Sequence, residues 1–259
     1  MKKLILSSAV LAAFLSANAQ EALTTPTVGY KPAAGNAVIE LGLSGGLLNT
    51  ATSLNSPGNG AFPGMVKLRY FLADDLALRA SFNFSAYSTT NKAYELDDDG
   101  KETETVGTQK IRNSFYGVNL GVEKHFTGTE RLSTYIGGDL SLGVASASLK
   151  EEKYNGGAYN EDYSRTIKGA NGPGGDNGGF GWGLRAVTGA DYYFVKKVYL
   201  GAEAGWGFFS FRNSGVKTTT TTPDGTGGTD TVTSETKSDG GAFTLTPQVV
   251  ASVRIGYIF

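Results

Sequence analysis

Residues 243–259 alternate between apolar and polar. Phe243, Leu245, Val249, Ala251, Val253, Ile255, Tyr257 and Phe259 share one parity; Thr244, Thr246, Gln248, Ser252, Arg254 and Gly256 share the other. A side-chain period of two is that of a β-strand with one greasy and one wet face. The pattern recurs upstream at 37–49, 65–72, 76–88, 114–126, 132–148, 179–194 and 198–212. Val66, Leu68, Tyr70 and Leu72 oppose Lys67 and Arg69; Tyr116, Val118, Leu120 and Val122 oppose Asn119, Gly121, Glu123 and His125.

The eight strands so predicted are joined by short turns at 73–75, 127–131 and 195–197, and by long segments at 50–64, 89–113, 149–178 and 213–241. An even strand count with short turns at one end and long loops at the other is the pattern of bacterial outer-membrane barrels. The expected fold is all-β: an eight-stranded antiparallel up-and-down transmembrane β-barrel, with short periplasmic turns and four long extracellular loops. Aromatic residues cluster where two interfacial girdles would lie. One group is Tyr70, Phe71, Phe126, Tyr192, Tyr193, Phe194, Tyr257 and Phe259; the other is Tyr87, Tyr116, Trp182, Phe208 and Phe243. A soluble barrel of lipocalin type is the rival fold, but the Gly- and Ser-rich polar face suits a cramped interior better than a wet exterior.

The first residues read as a secretory signal. Lys2 and Lys3 precede the apolar run 4–15, and Ala17-Asn18-Ala19 is an A-x-A cleavage site. The expected organisation is a signal peptide at 1–19, a periplasmic segment at 20–36 and the barrel at 37–259. The only long apolar run is the signal itself, so a membrane-spanning mature chain must cross as a closed barrel. Without cysteine there is no disulfide or thiolate metal site. Less Lys2 and Lys3, the 23 basic residues become 21 against 24 acidic ones, which gives nucleic acid no footprint. No cofactor is expected.

The polar faces carry Glu40, Lys67, Arg69, Arg79, Glu123, Asp139, Arg185, Asp191, Glu203 and Arg254, five of each sign. An eight-stranded barrel is just wide enough for side chains to fill it. Charges buried there must pair. The matched count predicts an ion-pair network plugging the lumen, with Glu40 and Arg254 meeting where the first strand closes on the last.

In the long segments, Asp97-Asp98-Asp99-Gly100 is a hairpin-turn signal. A calcium loop fails at Glu95 and Val106, which would hold its first and twelfth positions. Gly172-Pro173-Gly174-Gly175 has neither the strand nor the helix of a phosphate cradle and reads as a mobile surface loop. Tyr154, Tyr159 and Tyr163 read as exposed aromatics. Threonines on both sides of Pro223-Asp224-Gly225 predict a projecting hairpin. Asp230-Thr231-Val232 resembles a short Bacteroidota O-glycosylation motif. His125, the one histidine, sits beside a periplasmic turn with no serine adjacent in sequence, so no catalytic residue is assigned and an enzyme is not expected.

From about Ala37 to Phe259 this pattern resembles the OmpA-like and OmpX-like outer-membrane barrels, and the Ala19-Gln20 junction resembles Bacteroidota signal peptides. Ser252, Tyr257 and Phe259 match that family's terminal membrane-insertion signal, while Arg254 stands where Gly is usual. The resemblance implies the bacterial outer membrane, insertion by the barrel-assembly machinery with periplasmic chaperones, and contact with outer-membrane lipid and lipopolysaccharide. No sequence after Phe259 is expected to supply a peptidoglycan-binding domain. Two functions stay open: a surface protein whose loops meet a host or cell-surface ligand, and a narrow porin-like channel for small solutes.

Overall fold

The computed structural model describes residues 29–43, 64–172, 175–237, 240–248 and 253–259. The expected signal peptide, residues 44–49 of the first expected strand, residues 50–63 of the first long segment, Pro173 and Gly174, and Val249, Ala251 and Ser252 lie outside the described residues.

Among the described residues, twelve strands form one antiparallel sheet. They are β1 (Ala37–Leu43), β2 (Gly64–Ala73), β3 (Leu76–Leu96), β4 (Glu102–Phe126), β5 (Leu132–Asn155), β6 (Ala158–Lys168), β7 (Gly179–Val195), β8 (Val198–Asn213), β9 (Val216–Pro223), β10 (Thr229–Thr236), β11 (Gly241–Gln248) and β12 (Val253–Ile258). Pairing runs from β1 through β2, β3, β4, β5, β7 and β8. It then passes from β8 to β12 and back to β1. β11 lies on the same edge of β8, farther along it than β12.

The segments read from sequence as loops are in large part strand. β3 and β4 stay paired as far as Leu96 and Glu102. β5 continues past Ala145, its last partner on β7 being Gly179, and takes β6 from Ser148↔Lys168 onward. β9 pairs with β6, and β10 with β9. β6, β9 and β10 thus extend the wall as an upper storey. The physical reason is that β-branched threonines and period-two alternation continue beyond the membrane-facing stretch, where they favour pleated pairing as strongly as they do below. The β5–β6 turn uses Gly156 and Gly157, both at positive φ (59° and 98°), as a tight hairpin requires. The β3–β4 tip is held by the Asp97 carboxylate, which accepts from the Asp99 and Lys101 N–H groups.

Parity sorts the side chains. Outward positions such as Leu78, Leu120, Leu140, Leu184, Leu200 and Ile255 are exposed, and positions of the opposite parity such as Arg79, Asn119, Asp139, Glu203 and Arg254 are buried. Of the outer aromatic group, Tyr116 stacks on Phe84, and Phe208 sits between Trp182 and Phe243. Three assignments to the girdles are corrected. Phe71 and Tyr193 are buried inside, and Tyr87 shares the parity of Arg79, Ser81 and Asn83 rather than that of Phe84. Each sits one residue away from an outward aromatic or small residue, so clustering along the chain hid its face. Tyr163 is also buried, donating to Glu151 at 3.3 Å.

The interior alternates large with absent side chains. Gly256 lies opposite Tyr199 across β12 and β8, and a Cβ there would fall on the tyrosine ring. A Gly256→Val variant should therefore lower the barrel's unfolding free energy by about 1–3 kcal/mol. Urea titration of the refolded protein, followed by heat-modifiable gel mobility, measures this. At the β9–β10 tip, N–H donation from Thr226 holds the Asp224 carboxyl below the usual carboxylate range of ~3.9. A depressed pKa stabilises the tip above the unfolded value and loses that effect as pH falls through the folded one. Amide exchange at Thr226 and Gly228 should speed up on acidification, relative to intrinsic rates, below about pH 4.

Candidate functional site: a layered interior

Each strand position in the pairing ring delivers charge to one level of the interior. Glu40 comes from β1, Lys67 and Arg69 from β2, Arg79 from β3, Glu123 from β4, Asp139 from β5, Arg185 and Asp191 from β7, Glu203 from β8 and Arg254 from β12. All ten residues expected in the network are brought together by ion pairs.

Glu203 is its hub. It lies 2.9 Å from Lys67 Nζ, takes both terminal nitrogens of Arg79 at 2.9 Å, and lies 3.3 Å from Arg254 Nη1. Arg254 bridges onward to Glu40 at 3.0 Å and Asp191 at 3.1 Å. Arg69 meets Asp191 at 2.6 Å, Glu123 at 3.3 Å and Glu40. Its Nε and Nη2 make these pairs without hydrogen-bond geometry. Arg79 also reaches Glu123 at 2.5 Å and Asp139 at 2.9 Å. Arg185 extends the layer outward through Asp139 at 2.5 Å.

Two tyrosines that the sequence reading left unassigned complete the layer. Tyr135 donates to Glu203 at 2.7 Å and accepts from Arg254 at 2.7 Å; Tyr199 donates to Glu40 at 2.6 Å. The Arg69 guanidinium lies over both rings, at 5.0 and 5.6 Å from their centroids. Parity could have found them, because Tyr135 alternates with Ser133 and Asp139, and Tyr199 with Gly201 and Glu203.

His125 has a serine partner that sequence adjacency concealed. Ser133 Oγ lies 3.0 Å from His125 Nδ1, and Glu123 Oε2 lies 3.2 Å from Nε2. The β4–β5 register, which pairs His125 with Tyr135, brings Ser133 alongside. The set has the composition of a hydrolytic triad. All three members are buried, though, with the imidazole between the Phe71 and Tyr135 rings, and Glu123 is committed to Arg69 and Arg79. Nucleophilic attack needs a reacting carbon beside the hydroxyl. Here Ser133 is enclosed by protein.

Further layers flank the charges. Below them, Val38, Phe71, Ala77, Tyr193, Tyr199 and Ile258 form an apolar cluster with Tyr30 packed against it. Arg131 covers Tyr30 and donates to its hydroxyl at 2.8 Å. Above them, Asn119 donates to Ser81 at 2.8 Å. Phe115 and Phe209 then lie buried across from inward glycines such as Gly143 and Gly181. At the top, Asn113, Asn171 and Asp176 hydrogen-bond to one another over a cluster of Leu149, Ile167 and Ala170. Tyr257 and Phe259, the expected insertion signal, are outward and in edge-to-face contact, with centroids 4.9 Å apart.

Residues 64–219 match the model of the putative OmpA-OmpF-like porin family. That is more than half of the chain, and the chain belongs to this family: it is an outer-membrane β-barrel protein of OmpA/OmpX-like type. No curated protein matches it. Among solved structures it is similar to a major outer membrane protein from Thermus thermophilus, with 12% identity and a TM-score of 0.42, covering 86% of this chain and 98% of that one. It is also similar to OprG from Pseudomonas aeruginosa, with 10% identity and a TM-score of 0.37, covering 89% and 98%. A third is Ail from Yersinia pestis, with 15% identity and a TM-score of 0.34, covering 87% and 99%.

Removing one partner of a buried network leaves the others uncompensated and costs about 3–5 kcal/mol. Glu203→Ala takes a counter-charge from three cations at once, Lys67, Arg79 and Arg254, whereas Arg185→Ala takes one from Asp139 alone, which stays paired with Arg79. Urea unfolding of the refolded barrel should therefore show a large loss for Glu203→Ala and a clearly smaller one for Arg185→Ala. Equal losses would mean that the charges act independently.

Proposed function

We propose that the chain is an eight-stranded outer-membrane barrel with a closed lumen. It serves as a rigid anchor that displays the upper-storey sheet and its hairpins to ligands outside the cell. Enzymatic turnover has no part in this reading. The observation that carries it is the ion-pair layer itself. Its carboxylates and cations are drawn from every strand position of the ring, and all but Arg185 have side chains no more than 4% exposed. Groups bonded to one another in this way favour a lumen closed to water and ions. The apolar layer beneath and the aromatic layer above would each have to open as well.

The signal at 1–19 fits export, and the outward Tyr257 and Phe259 fit insertion through the last strand. On this reading the short turns and the segment before β1 face the periplasm. β6, β9 and β10, with the upper halves of β3, β4 and β5, stand outside the cell.

A small-solute channel is the competing function within a porin-like family. It requires the charge layer to part. Planar-bilayer recordings of the refolded protein, with folding verified by heat-modifiable mobility, discriminate the two. The anchor reading expects silence from folded wild type. Regular conductance steps would overturn it.

A further inference from the structure

The outermost hairpin carries apolar residues that lipid cannot cover. On β3 the outward face runs from Phe84 through Ser88, Thr90 and Lys92, then turns apolar again at Tyr94 and Leu96. Tyr94 stands directly opposite Val106 of β4. Ten residues past Phe84, at ~3.3 Å each on a strand tilted ~40°, place Tyr94 roughly 25 Å beyond the aromatic girdle. Acyl chains end well below that height, yet Tyr94 is 38% and Leu96 61% exposed. An exposed apolar patch with a polar rim marks an interaction site.

The patch is held up on a defined support. β4 takes its last β5 partner at Thr108, whereas its pairing with β3 continues to Glu102. The Asp97 carboxylate fixes the turn through two backbone N–H groups, with Gly100 at a φ of 75°. The rim is acidic: Glu95, Asp97, Asp98, Asp99, Glu102 and Glu104 are opposed within the segment only by Lys101. On the next hairpin, exposed carboxylates have cations, Glu152 with Lys150 at 2.5 Å and Glu161 with Lys153 at 3.1 Å. Among the described residues, none of the six rim carboxylates is in an ion pair.

Charge and apolar surface together select the partner. Phosphates, nucleic acid and acidic glycans are repelled by the rim. Small cations would answer the carboxylates and leave Tyr94, Leu96 and Val106 wet. A polypeptide with apolar side chains set between lysines or arginines answers both at once, with an apolar centre and a charged periphery.

We infer that the β3–β4 tip docks a cationic amphipathic segment of an extracellular protein. Its apolar side chains lie on Tyr94, Leu96 and Val106, and its cations meet the acidic rim. This inference rests on the anchor reading above and names the class of partner that the displayed hairpin takes.

The test uses the barrel refolded into phosphatidylcholine nanodiscs and immobilised for surface plasmon resonance, with empty discs as reference. The probe is a short peptide of alternating lysine and leucine. Saturable binding that weakens with added salt is expected. D98N/D99N/E102Q/E104Q and, separately, Y94S/L96S should each weaken it about tenfold. D230N/E235Q, on β10, should leave it unchanged. Wild-type affinity in either tip variant, or equal binding of a lysine–serine peptide, would overturn the inference. Displacement of the peptide by millimolar calcium at constant ionic strength would overturn it too, assigning the rim to a metal ion instead. Gel mobility and bilayer recordings on the same preparation keep the two readings apart. A folded, silent barrel without this binding overturns the inference alone. Failure to insert, or conductance steps, overturns the anchor reading and the inference with it.

Discussion

A charge taken out of water inside a narrow ring of strands must find its counter-charge in the protein, and the rest of this structure follows from that requirement. The ion-pair layer joins ten charged residues, five of each sign, and each strand position of the ring contributes at least one. Their bonds run across the ring rather than along single strands: Glu40 of β1 meets groups from β2, β8 and β12. Closing the wall and satisfying the charges are therefore one event. An unclosed ring would leave Arg254 of β12 away from Glu40, and each would lose one of its counter-charges.

Space is the second condition, and the glycines meet it. In a ring this narrow, several interior aromatics lie against positions without a side chain. Tyr199 faces Gly256, the Tyr135 hydroxyl occupies the room beside Gly189, and Phe115 lies against Gly143. The abundance of glycine, 37 residues in all, is thus partly a packing property of the interior as well as a turn property of the connections. Interior aromatics then do work that charge cannot do. Tyr135 and Tyr199 saturate carboxylate oxygens and lie under Arg69, while Phe115 and Phe209 separate the charged layer from the mouth.

Side-chain parity was legible in the sequence, and with it the identity of all ten charged residues. Parity depends on a single strand, so one chain is enough to read it. Partnership was less legible. Glu40 with Arg254 followed from the first strand meeting the last, but the central place of Glu203 and the His125–Ser133 contact arise from register between strands. Clustering along the chain misled where inward and outward aromatics adjoin: Tyr192 faces out and Tyr193 in. The long connections were read as loops because they are polar. Polarity says that a segment lies in water; it does not say whether the segment is paired. Glu102–Thr105 and Asn160–Asp162 are polar and are strand, whereas the threonine-rich segment about Pro223 was read as a hairpin and pairs as one.

A charged interior also decides which face of each strand turns inward. An apolar filling would bury its side chains at no desolvation cost, yet in lipid it would leave both faces of every strand apolar. A one-residue slip in register would then exchange two equivalent faces. With Arg79, Asp139 or Glu203 on one parity, the same slip sends an ion toward hydrocarbon, at ~2–4 kcal/mol for a cation at mid-depth, and breaks its pairs as well. The penalty recurs at every strand position, because every position carries a charge. The layer thus fixes register and facing around the whole wall. Above the girdle the same outward face turns from apolar to basic: Arg112 and Leu120 share one face of one strand, eight residues apart.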